Sequence, residues 1–413
     1  MSKSYGIFPT FFLSGFECST FVWKDQGRRD LVAETRHREH AREDYELLRK
    51  LGIAVAREGI PWPLVDRGAY DFSIVDPVLE AMRASDILPI WDLCHYGYPD
   101  DTHPFEDDFV GRFARYCRAA AEYVTERRGG PHFFTPINEI TFFGFAGGEW
   151  QWIAPFGRNE ADRHRLRLAL CEAAIAGVQA IREVAPESRM VHIDPLILVV
   201  PPRGRADLAD DARRETYDDT FFAWDVLGGL RHPELGGSPE VLDIVGVNCY
   251  SFGQMEFREH GPHAALGPRD DRIEPLCELL EVAWNRYRRP MIIGETSGLG
   301  DGRPAWLNDV MQESLAAVAR GIELHGVCLF PAVDMPNWHT GEWLHNGISD
   351  LVEDGDDLRR VPFPPYVAAL REWQHRLNRV TELDEDPHSD PIDLEEIVAA
   401  AERLQPEPDA NWA

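Results

Sequence analysis

Arg289-Pro-Met-Ile-Ile-Gly-Glu295 is a short apolar run that stops on a carboxylate, and His132-Phe-Phe-Thr-Pro-Ile-Asn138-Glu139 repeats the pattern. Short apolar runs bounded by Gly, Pro and charge read as buried strands. Working outward, the same punctuation marks strands near 10–15, 53–57, 87–94, 132–137, 190–194, 242–247, 290–295 and 325–330. Between them lie Arg/Glu-rich segments with helical spacing: Arg38 to Leu51, Phe109 to Thr125, Arg163 to Val184, Pro275 to Arg288 and Trp306 to Gly321. Strand and helix alternating eight times predict an α/β fold, a (β/α)8 TIM barrel. The competing open, doubly wound sheet would carry a Gly-rich phosphate loop after its first strand, and none stands there.

The barrel is expected to occupy residues 1–377. Its strand-end loops are long and aromatic-rich, notably Phe142 to Gly157 and Pro331 to Asn346, and long loops on a compact scaffold are usually functional. From 378 to 413 the chain turns acidic and Pro-containing, which predicts a peripheral tail, partly disordered or with one short helix over Asp393 to Leu404.

Net charge is −29, and Lys3, Lys24 and Lys50 are the only lysines. Nucleic acid and anionic membranes both require a basic face, so neither is an expected partner. No apolar stretch reaches the ~18 residues of a membrane span. The N-terminus lacks the basic start and long apolar segment of a signal peptide, which points to the cytoplasm. The seven cysteines (18, 94, 117, 171, 249, 277 and 328) show no CxxC spacing, so they read as small buried hydrophobes rather than a disulfide framework or zinc site.

In a (β/α)8 barrel, chemistry gathers at the C-terminal strand ends. The polar residues that close the apolar runs are Glu17, Arg57 with Glu58, His95, Asn138 with Glu139, His192 with Asp194, Asn248 with Tyr250, and Glu295, followed by Asp334 to Trp338. Glycoside hydrolysis uses one carboxylic acid to protonate the leaving oxygen and a second carboxylate across the sugar. Glu139 fits the acid/base and Glu295 the nucleophile. Asn138 is placed to hydrogen-bond the sugar 2-hydroxyl. Arg57 and Tyr250 are placed to hold Glu295 ionised, because a cation or donor favours a carboxylate's charged form. His95 and Trp338 line the pocket. His192 and Asp194 can share a strand face, but without a third ligand they do not make a metal site. Trp150, Trp152, Phe156 and Trp343 read equally as stacking platforms or as loop packing.

Six segments, FLSGFE (12–17), LGIAVAREGIPW (51–62), DLCHY (92–96), FFTPINE (133–139), VGVNCY (245–250) and MIIGE (291–295), together resemble the family 1 glycoside hydrolases in order and spacing. The resemblance spans Phe11 to Trp373. It implies a retaining β-glycosidase with acid/base on strand four and nucleophile on strand seven, acting on a small-molecule glycoside or oligosaccharide with no cofactor. Two carboxylates about 5–5.5 Å apart go with that retaining chemistry.

The departures fall on recognition rather than on the carboxylates. Ile140 stands where the family has Pro, and Thr296-Ser297 where it has Asn-Gly. Glu17 and Ser19 lie where a sugar-binding Gln is expected, Tyr96-Gly97 replaces Trp-Asp, and Asn337-Trp338 replaces a Glu-Trp pair. Glu17, His95, Asn138, Asn248, Asn337 and Trp338 are the expected sugar contacts, with the sugar itself left open. Glycosyl transfer to another acceptor and non-catalytic sugar binding are the competing functions.

Overall fold

All eight apolar runs form strands, and in the computed structural model, which describes residues 6–260 and 262–383, they close into one parallel barrel. The strands are β1 (Phe12–Gly15), β2 (Val55–Gly59), β3 (Leu88–Asp92), β4 (Phe133–Thr135), β5 (Arg189–Pro195), β6 (Ile244–Asn248), β7 (Met291–Thr296) and β8 (Leu324–Leu329). Pairing of β1 with both β2 and β8 shuts the sheet, so it has no edge and is not doubly wound.

Alternation along each strand builds two cores. Leu13, Val55, Ile90, Phe133, Val191, Ile193, Ile244 and Ile292 fill the barrel interior. Their neighbours Phe12, Ala56, Trp91, Phe134, Met190, Val245 and Ile293 face the surrounding helices. Burying one such side chain contributes about 1.5–3 kcal/mol, so the pleat holds the strand ends rigidly in register.

The predicted helices appear as His37–Lys50, Phe109–Arg127, Glu160–Val184, Leu276–Tyr287 and Arg303–Ala319. The third begins earlier than its apolar spacing suggested, because Asn159 caps it by accepting from the Asp162 amide at 3.0 Å.

Two expectations need correction. The segment from Phe142 to Gly157 is not all loop: Ile140–Gly148 is a helix, although it contains three glycines and no polar face. Packing overrides that poor propensity. A Cβ on Gly144 would lie 2.4 Å from Arg167 Cγ, and one on Gly148 would lie 2.6 Å from Arg163 Cα, so the glycines let this helix press onto Glu160–Val184. Asp194, buried at the end of β5, caps the first turn by accepting from the Thr141 amide at 3.1 Å and its hydroxyl at 3.0 Å.

At the other end, helix Pro364–Leu383 runs across the expected 377/378 boundary. Its Gln374 amide donates to Leu51 O at 2.7 Å, and its Trp373 indole donates to Asn308 Oδ1 at 2.7 Å. The predicted helix over Asp393 to Leu404 lies outside the described residues. Among the described residues no helix is long and apolar enough to cross a membrane.

Candidate active site

The strand ends open into a cavity of about 690 Å³, lined among others by Glu17, His95, Tyr96, Glu139, Asn248, Tyr250, Glu295, Asn337 and Trp338. Beneath it lies Arg57, wholly buried at the end of β2. Its Nη1 donates to Glu295 Oε1 at 2.7 Å and to the Gly294 carbonyl at 3.0 Å. Its Nη2 donates to Asp92 Oδ2 at 2.7 Å and to Asn138 Oδ1 at 2.9 Å. One guanidinium thus ties together the ends of β3 and β7 and the segment after β4. An unpaired buried charge is very costly, and here two carboxylates answer the cation. Burial opposes the Asp92 charge most strongly, but Arg57 and His95 together outweigh it and hold this carboxyl below its ordinary range.

Glu295 completes its coordination with Tyr250, whose hydroxyl donates to Oε2 at 2.9 Å. The Tyr250 ring stacks on Phe252 at 5.2 Å. Asn248, paired with Glu295 across β6 and β7, reaches the other carboxylate and donates to Glu139 Oε1 at 2.6 Å.

Glu139 lies beyond β4 at φ 46°, a left-handed backbone that brings its side chain to the cavity while its amide donates to Ile193 O at 2.9 Å. The Tyr96 hydroxyl donates to Oε2. Burial and the nearby Glu295 charge push this carboxyl up to about 7, against the two hydrogen bonds from Tyr96 and Asn248. A carboxyl that keeps its proton beside one paired to a cation is the arrangement an acid and a nucleophile require.

The remaining predicted residues divide. His95 lines the cavity, with Nε2 3.1 Å from Asn138 Nδ2 and Nδ1 3.4 Å from Asp92 Oδ2. Glu17 also lines it, but its carboxylate accepts from the Ser19 amide at 3.0 Å and from the Ser19 hydroxyl. Trp338 packs against Phe21 and Tyr96 on the cavity wall. Asn337 lines the wall while its Oδ1 caps its own turn, accepting from the amides of His339 and Thr340. Asn138 does not line the cavity. It is wholly buried and its amide is occupied by Arg57, His95 and Tyr96, so this geometry offers no direct contact to a sugar hydroxyl.

Trp150 and Trp152 face the cavity, Phe156 lines a separate small cavity near Arg28, and Trp343 bridges Pro336. His192 and Asp194 share the outward face of β5 and meet different partners. His192 Nε2 is 2.9 Å from Val241 O, and burial pulls its pKa down to about 4.

Two residues at the site went unassigned in the sequence. Asp92 ends the apolar run of β3 just as Glu295 ends β7, a signal that was available. Tyr96 stood out only as a departure from the resembled pattern, and its contact to Glu139 depends on a backbone turn at φ 62° that no periodicity announces.

No protein-family model matches the chain. It is 21% identical over 371 residues to the phospho-cellobiase of Klebsiella oxytoca, covering 75% of this chain and 78% of that one. It is 22% identical over 409 residues to an aryl-phospho-β-D-glucosidase of Bacillus subtilis, covering 79% and 84%. A family 1 β-glucosidase from Thermotoga maritima superposes with a TM-score of 0.71 at 16% identity, over 88% of this chain and 97% of that one. The sequence relatives bear out the resemblance at the distance of a divergent member, and the superposition shows the barrel.

Proposed function

We propose that this divergent member of the family 1 glycoside hydrolases is a retaining β-glycosidase in which Glu295 is the nucleophile and Glu139 the acid/base. Glu295 attacks the anomeric carbon as the bond to the leaving oxygen breaks, and the Glu139 proton passes to that oxygen. In the second step Glu139 takes a proton from water, the water oxygen bonds to the anomeric carbon and Glu295 is released. Arg57 and Tyr250 hold the nucleophile. One observation carries the reading: two glutamates open on the same cavity, one bonded to a guanidinium and the other to an amide and a phenol, both neutral.

The cavity is large for a single sugar ring, and its wall includes Phe142, Phe252, Leu299 and Met335. An apolar aglycone fits that wall, and an alcohol acceptor bound there would give glycosyl transfer. Seven free cysteines, all buried, support residence in a reducing compartment, the cytoplasm.

The test is a screen of aryl β-glycosides of several sugars, each with and without a sugar phosphate. Mass spectrometry of protein trapped with the 2-fluoro analogue of the best substrate follows. Turnover with retained anomeric configuration and a single label on Glu295 is the expected result. Inverted product, or a label on another residue, would overturn the assignment. Added alcohols then show whether transfer competes with hydrolysis.

A further inference from the structure

Tyr96 touches the acid/base directly, and its place is built into the fold. Its backbone is left-handed at φ 62°, a conformation that a tyrosine keeps only where its surroundings enforce it. Gly97 follows, where a Cβ would lie 2.1 Å from Thr20 Oγ1, so the turn is pressed onto the segment after β1. The ring is held edge-on by Phe142, Phe143 and Trp338, with centroids 5.5, 5.6 and 5.6 Å away.

The direction of the hydrogen bonds follows from Arg57. Because Arg57 Nη2 donates to Asn138 Oδ1, Asn138 Nδ2 is left as a donor. It donates to the Tyr96 oxygen at 3.2 Å, and the phenol proton is therefore directed to Glu139 Oε2. Arg57 thus touches Glu295 directly and reaches Glu139 through Asn138 and Tyr96.

Double displacement asks Glu139 to hold a proton while the leaving group departs and to lack one when water attacks. Before reaction, burial and the charge of Glu295 favour the protonated form, while the donors on both oxygens oppose it. Forming the ester on Glu295 removes its charge, so that burial alone is left to oppose the donors. We propose that Tyr96 is the positioning residue that converts Glu139 from acid to base, its phenol holding Oε2 as a carboxylate oxygen once Glu295 is esterified. This rests on the roles proposed for the two glutamates. Tyr96 keeps its own proton throughout: in the second step the water proton goes to Glu139, the water oxygen bonds to the anomeric carbon and the ester bond to Glu295 breaks. The titratable groups facing Glu139 are Glu295 from β7, Asp194 from β5, Tyr250 beyond β6, and His95 and Tyr96 after β3.

The test uses the full chain and its Tyr96→Phe variant with the dinitrophenyl 2-fluoro-β-glycoside of the best sugar from the screen. Trapping needs no acid with this leaving group, whereas reactivation in water needs the base. Trapping by Tyr96→Phe is expected within about twofold of the parent, with reactivation slowed about tenfold, the loss of one charge-assisted hydrogen bond. The basic limb of kcat/KM should move to higher pH, because a donor to the carboxylate form is gone. Stoichiometric trapping also reports that the variant is folded. Parental reactivation, or a fall of both steps together, would overturn the proposal. Failure of the parent to label on Glu295 would instead overturn the underlying reading.

Discussion

The ends of β7 and β4 each deliver a glutamate to one cavity, in opposite electrostatic settings. Glu295 meets the buried guanidinium of Arg57 and the hydroxyl of Tyr250, while Glu139 meets the amide of Asn248 and the hydroxyl of Tyr96. Two identical side chains are separated in character by one cation. On the proposed roles, surroundings and not residue type assign acid and nucleophile.

The sharpest way to break this comparison is Glu295→Gln, which removes the proposed nucleophile. Hydrolysis should fall on the order of 10⁴-fold or more, measured with an activated aryl glycoside. Glu139→Ala should act on the other half only. Substrates with poor leaving groups should lose about 10²–10⁴-fold in kcat/KM, dinitrophenyl substrates far less, and azide should restore turnover as the glycosyl azide. If the two variants behave alike, the division of roles is wrong. In the parent, kcat/KM should decline as pH rises through about 7, since the acid form of Glu139 is the reactive one. A flat profile from pH 6 to about 9 would contradict it.

Smaller effects sharpen the contrast. Tyr250→Phe removes one neutral donor from Glu295 and should cost about tenfold in kcat/KM while Arg57 stays in place. The smallest effect is on stability. Glu139 titrates higher folded than unfolded, so its contribution is fully present below its ordinary value of 4.5 and is lost as pH rises through about 7. Glu139→Gln, which cannot ionise, should melt above the parent near pH 8, by on the order of 2 kcal/mol, with the gap closing towards pH 4. Equal melting temperatures at the higher pH would place Glu139 in a wetter setting.

The barrel was legible because buried parallel strands must be apolar on both faces and must end in polar residues at the mouth. For that reason Arg57, Glu139, Asn248 and Glu295 stood out together. Helix Ile140–Gly148 was not legible, since its stability comes from a neighbour and its composition argues against it. Asn138 looked like a substrate contact because it precedes Glu139, but its side chain points to partners contributed by β2 and by the segment after β3. Tyr96 was hidden because its reach depends on one left-handed residue. Local pattern reports burial; it does not report which buried groups meet.

The glycine-rich helix has a consequence in time. A segment with no polar face and three glycines gains little from folding alone, so Ile140–Gly148 is expected to form once Glu160–Val184 is there to receive it. Glu139 is the residue on which that helix begins, held in its left-handed turn by it. The proposed general acid is therefore expected to be assembled among the last parts of the chain. During refolding, far-UV ellipticity should recover before hydrolysis does, with the interval set by docking of this one helix. A nascent barrel with its strands paired and this helix undocked would be a closed scaffold without a catalyst.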